Sequence, residues 1–221
     1  MVMKFNHPSD TKAFAIGVVA SIFGVILWDI IKYNFHLLEY SSNSNKLKLF
    51  KGFDMNSWKY TPPPNKESSL KEIEDLLKNP INEPSVRKYD QVSNQFNKLL
   101  LANNKILDNV QANLINKELD HIVSELKNHY NRPRPKDIKP IEYLDLESAN
   151  TPSYPSGHSL QARLLALIYG KKYPELKPQL EKLGEVIGQS RLNARVHYLS
   201  DHVFGKKIAN DLFNKYKSNQ T

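Results

Sequence analysis

Cysteine is absent from this chain. Disulfides, thiolate catalysis and cysteine-ligated zinc are therefore excluded, although the compartment stays open, because an oxidising space does not require disulfides. Long apolar runs are scarce: after Ile31 no stretch of about 20 apolar residues occurs, so nothing downstream is expected to cross a bilayer as a helix. Strand patterning is weak, and neither an internal repeat nor a low-complexity tract is found. Acidic residues are the scarcer charge, 23 Asp and Glu against 31 Lys and Arg, for a net charge of +8 in 221 residues. That surplus favours anionic partners such as phosphates, acidic lipid or nucleic acid. The basic residues are scattered rather than interleaved with aromatics in one stripe, and no nucleic-acid motif is present, which argues against nucleic acid.

What is present starts with "AFAIGVVASIFGVILW", Ala13 to Trp28, an uncharged run followed by Asp29, two isoleucines and Lys32. At about 1.5 Å per residue it nearly spans a hydrocarbon core of roughly 30 Å. Trp28 and Tyr33 suit an interface. A cleaved signal would want small residues after the run, whereas "WDIIKYNF" follows, so a retained single anchor is expected. Lysines stand on both sides of it, which gives the positive-inside rule no clean orientation.

The expected organisation is an N-terminal tail at 1–12, a transmembrane anchor at 13–35, a polar, proline-broken linker or wrapping arm at 36–66, and a helical domain at 67–221. Across that last part apolar residues recur at helical spacing, as in "VSNQFNKLLLANNKIL", "NLINKELDHIVSELKNHY", "SLQARLLALIYGKKY" and "DHVFGKKIANDLFNKY". The fold class is all-α. Pro178 falls in a first helical turn, and Ser200 or Asp201 can cap the last helix.

Three clusters at helix ends or turns carry groups suited to a phosphoryl dianion. In "KNHYNRPRP", Lys127 and Arg134 flank a proline-stiffened break from which they can converge. In "YPSGHS", Ser156, Gly157 and His158 open a helix, where unpaired N–H groups and the positive dipole end favour an anion. In "SRLNARVHYLSD", Arg191 ends one helix, while His197 and Asp201, four residues apart, can hydrogen-bond and leave the second ring nitrogen free. Singly, each cluster reads as an ordinary cap or solvated helix end.

Together, Lys127 with Arg134-Pro135, then Pro155-Ser156-Gly157-His158, then Ser190-Arg191, His197 and Asp201, in that order, resemble the three-part signature of the type 2 phosphatidic acid phosphatase (PAP2) and vanadium haloperoxidase superfamily. The resemblance covers about Leu114 to Tyr216 and is closest to the bacterial nonspecific (class A) acid phosphatases. Arg195 and Leu199 depart from it, standing where the family often has a small residue and a proline.

The resemblance implies a metal-independent phosphatase, without cofactor, that hydrolyses phosphate monoesters through a phosphohistidine. It implies His197 as nucleophile, Asp201 as the residue that orients it, and His158 as the acid and base. Lys127, Arg134, Arg191, Ser156 and Gly157 would hold the phosphate. The implied partners are a phosphorylated small molecule or lipid and, through the N-terminal helix, a membrane, while homo-oligomerisation is left open. The expected address is a single-pass membrane protein with its catalytic domain on the extracytoplasmic, periplasmic side. Alternatives are a lipid phosphate or polyprenyl diphosphate phosphatase, a vanadate-dependent haloperoxidase, or a non-enzymatic anion or nucleic-acid binder. His7, His36, His121, His129 and His202 read as surface or packing residues, and Arg163 and Arg195 as solvated. Arg132 and Lys136 read as contributors to the positive field, and Tyr130 and Tyr154 as core.

Overall fold

The computed structural model describes residues 47–220, and all regular elements among them are helical. The stretch read as an anchor lies outside the described residues, as do the tail, His7 and His36. Among the described residues no helix is long and apolar enough to cross a membrane.

The α-helices are α1 (Lys66–Leu77), α2 (Glu83–Lys88), α3 (Val92–Leu101), α4 (Asn109–Tyr130), α5 (Pro135–Ile138), α6 (Gly157–Lys172), α7 (Lys177–Asn193) and α8 (Leu199–Ser218). Local chemistry sets their starts. The side chains of Asn65, Asn82 and Asp108 accept the Ser68, Ser85 and Gln111 amides at the heads of α1, α2 and α4, satisfying donors that the helix leaves open. Pro178 lies in the first turn of α7 as expected. The last helix starts differently from the sequence expectation: Tyr198 is the N-cap, and Asp201, at the third helical position, reaches back to accept the Tyr198 amide at 3.1 Å.

Helix α6 is the centre of the bundle. Its residues Leu160, Leu164, Leu165, Ile168 and Tyr169 are buried on several faces, as expected of a helix enclosed on all sides. It packs chiefly on α7 and α8, with α3 and α4 also against it. Helix α4 adds the stripe Ile115, Leu119, Ile122 and Leu126, spaced by three or four residues along one face. Gly205 lets α8 come up to the head of α6, since a Cβ there would lie 2.7 Å from the Ser156 carbonyl oxygen. Ahead of α1 the chain lies on the bundle with Phe50 and Phe53 buried. There the Glu118 carboxylate accepts the amides of Lys48, Leu49 and Phe50.

Candidate active site

Helix α4 ends at Tyr130 because Asn131 turns left-handed, with φ 44°, and prolines follow; Asn tolerates that conformation with little penalty. The break aims Lys127 and Arg134 at one strip of chain. The Lys127 ammonium donates to Thr151 Oγ1 at 2.9 Å and to the Pro152 carbonyl, while Arg134 Nε donates to the Thr151 carbonyl at 2.9 Å.

Arg134 also fixes the state of His197. Its Nη1 donates to the Val196 carbonyl at 2.7 Å and lies 3.0 Å from His197 Nε2. A guanidinium cannot accept a hydrogen bond, so Nε2 holds a lone pair and Nδ1 holds the hydrogen. That hydrogen goes to Asp201 Oδ2, 2.9 Å from Nδ1. Oδ1 of the same carboxylate takes Arg132 Nη1, which also contacts Ser200, while Arg132 Nη2 reaches Glu72 and Ser69. Arg132 is therefore not a contributor to an outer field. It is buried, stacked over Tyr198 with its guanidinium carbon 3.7 Å from the ring centroid.

His158 stands in the first turn of α6, and its Nε2 lies 2.9 Å from the Asp90 carbonyl oxygen. The Asp90 carboxylate takes Arg191 Nη1 at 3.0 Å and the Ser148 hydroxyl at 3.0 Å, and Arg191 Nη2 donates to Ser148 at 3.1 Å. The Ser156 hydroxyl is buried and turned into the helix, where it accepts from the Ser159 amide and hydroxyl at 3.4 and 2.9 Å.

A cleft of about 310 Å³ opens between these elements, lined by Lys127, Gly157, His158, His197, Ser148 and Thr151 together with Asp120, Val123, Ser124 and Asn128 on α4. Both imidazoles thus face one cavity. Lys127, Arg134 and Arg191 are each at most 6% exposed, and that burial away from water depresses all three. Burial, then Arg134, pulls the Lys127 ammonium down to about 7, and burial pulls Arg134 to about 10. Burial first, and then Arg134, Lys127 and Arg191, hold His197 well below the ordinary imidazole value. Burial also pushes Asp201 up to about 6 against the pull of Arg132. Arg134 Nη2 and Arg191 Nε are buried donors with no partner. Such donors are costly unless water or a ligand oxygen completes them.

Of the residues read as a site, the structure brings Lys127, Gly157, His158 and His197 to the cleft wall, with Arg134 and Asp201 bonded to His197. Arg191 stands behind Ser148 and Asp90, and Ser156 serves as the cap of α6. Tyr130 and Tyr154 pack with Phe204, as read. Arg163 pairs with Glu181 and Asn210 away from these groups. Arg195 departs from its expected solvation: it is buried, left-handed at φ 58°, and bonded to the Asn79 carbonyl and to Glu142. His202 is buried between Ser159 and Glu185. Sequence reading missed Asp90 and Glu72, which lie far along the chain from the groups they hold. Among the described residues no group of three or more His, Asp or Glu side chains is placed to share a metal ion.

Residues 110–209 match the family model of the PAP2 superfamily. Non-specific acid phosphatases of Salmonella typhi and of Salmonella typhimurium are each 32% identical over 104 residues, 45% of this chain and 42% of theirs. The chain thus spans less than half the length of the curated relatives it matches. Among solved structures it is similar to the crystal structure of the first transmembrane PAP2 type phosphatidylglycerolphosphate phosphatase from Bacillus subtilis. The TM-score is 0.40 at 18% identity, covering 86% of this chain and 94% of that one.

Proposed function

With a PAP2 superfamily domain across residues 110–209 as the premise, we propose that this chain is a metal-independent phosphatase that hydrolyses phosphate monoesters through a phosphohistidine at His197. The observation that carries the reading is the tautomer of His197. Arg134 on one nitrogen and Asp201 on the other leave Nε2 with its lone pair, as a nucleophile requires.

In the proposed reaction, Lys127, Arg134 and Arg191 neutralise the phosphoryl oxygens, with the unpartnered donors of both arginines and the head of α6 completing the cradle. His197 Nε2 attacks phosphorus. As the N–P bond forms, the ester P–O bond breaks, and the leaving oxygen takes a proton from His158. Water then attacks phosphorus, gives a proton to His158 and breaks the N–P bond, releasing phosphate. Asp201 keeps its partner's hydrogen on Nδ1 and stabilises the charge that the ring gains.

The apolar residues 13–35 are proposed to hold the domain at a membrane surface on the extracytoplasmic side, with a phosphorylated small molecule or lipid as substrate. The test is hydrolysis of 4-nitrophenyl phosphate by the full chain, with and without chelator, against His197→Ala. Activity that survives chelator, is blocked by vanadate as a mimic of the five-coordinate state, and vanishes in the variant supports the reading. Turnover that persists in His197→Ala, or that chelator abolishes, overturns it. Comparing soluble with micellar phosphate esters distinguishes the substrate classes.

A further inference from the structure

Asp90 lies in the short turn between α2 and α3, outside the span that matches the family model. Two of its oxygens meet His158: the main-chain carbonyl lies 2.9 Å from Nε2 and carboxylate Oδ1 lies 3.3 Å from it. A carbonyl oxygen only accepts, so Nε2 keeps its hydrogen whether the ring is neutral or charged. The proton that comes and goes is then the one on Nδ1. The same carboxylate holds Arg191 and Ser148, so one turn sets the leaving-group histidine and a phosphate-side arginine together.

We infer that Asp90 is a positioning residue for His158: it ties down Nε2–H, leaving Nδ1 as the nitrogen that protonates the leaving oxygen, and its carboxylate keeps the imidazolium available for that step. This rests on the phosphatase reading above. The balance is simple. The Nδ1–H bond breaks as the ester oxygen gains its proton, the ring is left neutral with Nε2–H still on Asp90, and water later returns the proton to Nδ1.

The charged groups around this ring come from every side. Arg191 stands on α7, Lys127 and Asp120 on α4, His197 before α8, and Arg134 in the loop behind His197. Burial is the largest influence on His158 and disfavours its charge, and Arg191 adds to that, while Asp90 opposes both. In return, the hydrogen bond from His158 holds the Asp90 carboxyl well below the usual carboxylate range, helped by Arg191 and Ser148. Removing the Asp90 charge lets the ring lose its proton at lower pH.

The experiment uses Asp90→Asn in the full chain, which keeps the main-chain oxygen and the side-chain shape. The alkaline limb of kcat/KM is expected to move to lower pH by about one unit. The loss on glycerol 2-phosphate, whose alkoxide leaves poorly, is expected to exceed the loss on 4-nitrophenyl phosphate by about tenfold. Asp90→Glu should recover part of the limb. Equal losses on both substrates with an unmoved limb, or no change, overturn the inference. A second measurement needs no turnover. Nitrogen-15 shifts of the His158 ring in the wild-type protein report the neutral tautomer: Nε2–H is expected, and Nδ1–H overturns the inference. Wild type without phosphatase activity would sink the functional reading alone, because the tautomer is read independently of it.

Discussion

Arg132 Nη1 lies 2.5 Å from Asp201 Oδ1, while Oδ2 of the same carboxylate accepts Nδ1–H of His197. The guanidinium is therefore the counter-charge of a buried anion that orients His197, the proposed nucleophile, and Glu72 on α1 holds it from the far side at 3.0 Å. Arg132→Met strands that carboxylate without its cation, and breaking a buried pair this way costs about 3–5 kcal/mol. Asp201 already stands near 6 through burial, so losing the cation raises it further. Its ionised form, and with it the activity, then appears only at higher pH. The acidic limb of kcat should move upward and kcat fall by about tenfold or more. Arg132→Lys, which keeps a charge but not the fork, should leave the limb nearer wild type. Denaturation and pH–rate profiles of the two variants check this.

On the proposed mechanism, the pH dependence of the wild type follows from opposite demands on the two histidines. As the proposed nucleophile His197 must be neutral, and its burial, then the surrounding cations, hold it well below the ordinary imidazole value. His158 must be charged to donate, and burial sets it below the ordinary imidazole value. A group needed in its protonated form loses effect as pH rises through its own value, so kcat/KM should fall on approaching neutrality and be greatest on the acid side. His158→Gln should lower the rate by about a hundredfold or more and flatten the alkaline limb. A profile measured from pH 4 to 9 that climbs beyond 7 would contradict the assignment.

The three clusters were legible in the sequence because each is local. His197 and Asp201 are four residues apart on one turn, and Ser156 and Gly157 stand where prolines yield to an apolar helical pattern. Their family resemblance joined them across the chain. The groups behind them had no such signal. Asp90 meets Arg191 across 101 positions, and Glu72 meets Arg132 across 60, so neither pairing leaves a periodicity or spacing to read. Arg132 looked like one basic residue in a basic stretch, because its burial depends on α1 and the Tyr198 ring rather than on its neighbours in sequence. Arg195 is similar, since its partners at Asn79 and Glu142 are remote.

Lys127 gives the proposed anion site its own titration. With its ammonium pulled down to about 7 by burial and by Arg134, the free protein loses a charge at the proposed phosphate site just above neutrality. An arriving dianion favours the charged form, so binding takes up a proton there. Sulfate, whose charge is constant over this range, should therefore inhibit competitively with a Ki that rises about tenfold per pH unit above 7. Lys127→Met should bind sulfate more weakly at pH 6 and lose that slope. Inhibition constants for both proteins between pH 5.5 and 8.5 decide the point.

Behind the cap of α6, His202 fills the space that Gly188 leaves on α7. A Cβ at position 188 would lie 2.4 Å from His202 Cε1 and 2.6 Å from Nδ1, closer than any packed methyl can sit. The ring has little room to retreat, because Nδ1 is 2.9 Å from the Ser159 hydroxyl and Nε2 is 3.1 Å from Glu185. Ser159 in turn donates to Ser156, the residue that starts α6 beside Gly157. Gly188→Ala should therefore cost about 1–3 kcal/mol of stability through overpacking and also disturb the helix head, raising KM for phosphate esters more than it lowers kcat. Pairing it with His202→Ala removes the obstruction, so the double variant should lose less stability than the sum of the two single changes. Urea denaturation of the four proteins measures that coupling, and strict additivity would show that the two residues do not press on each other.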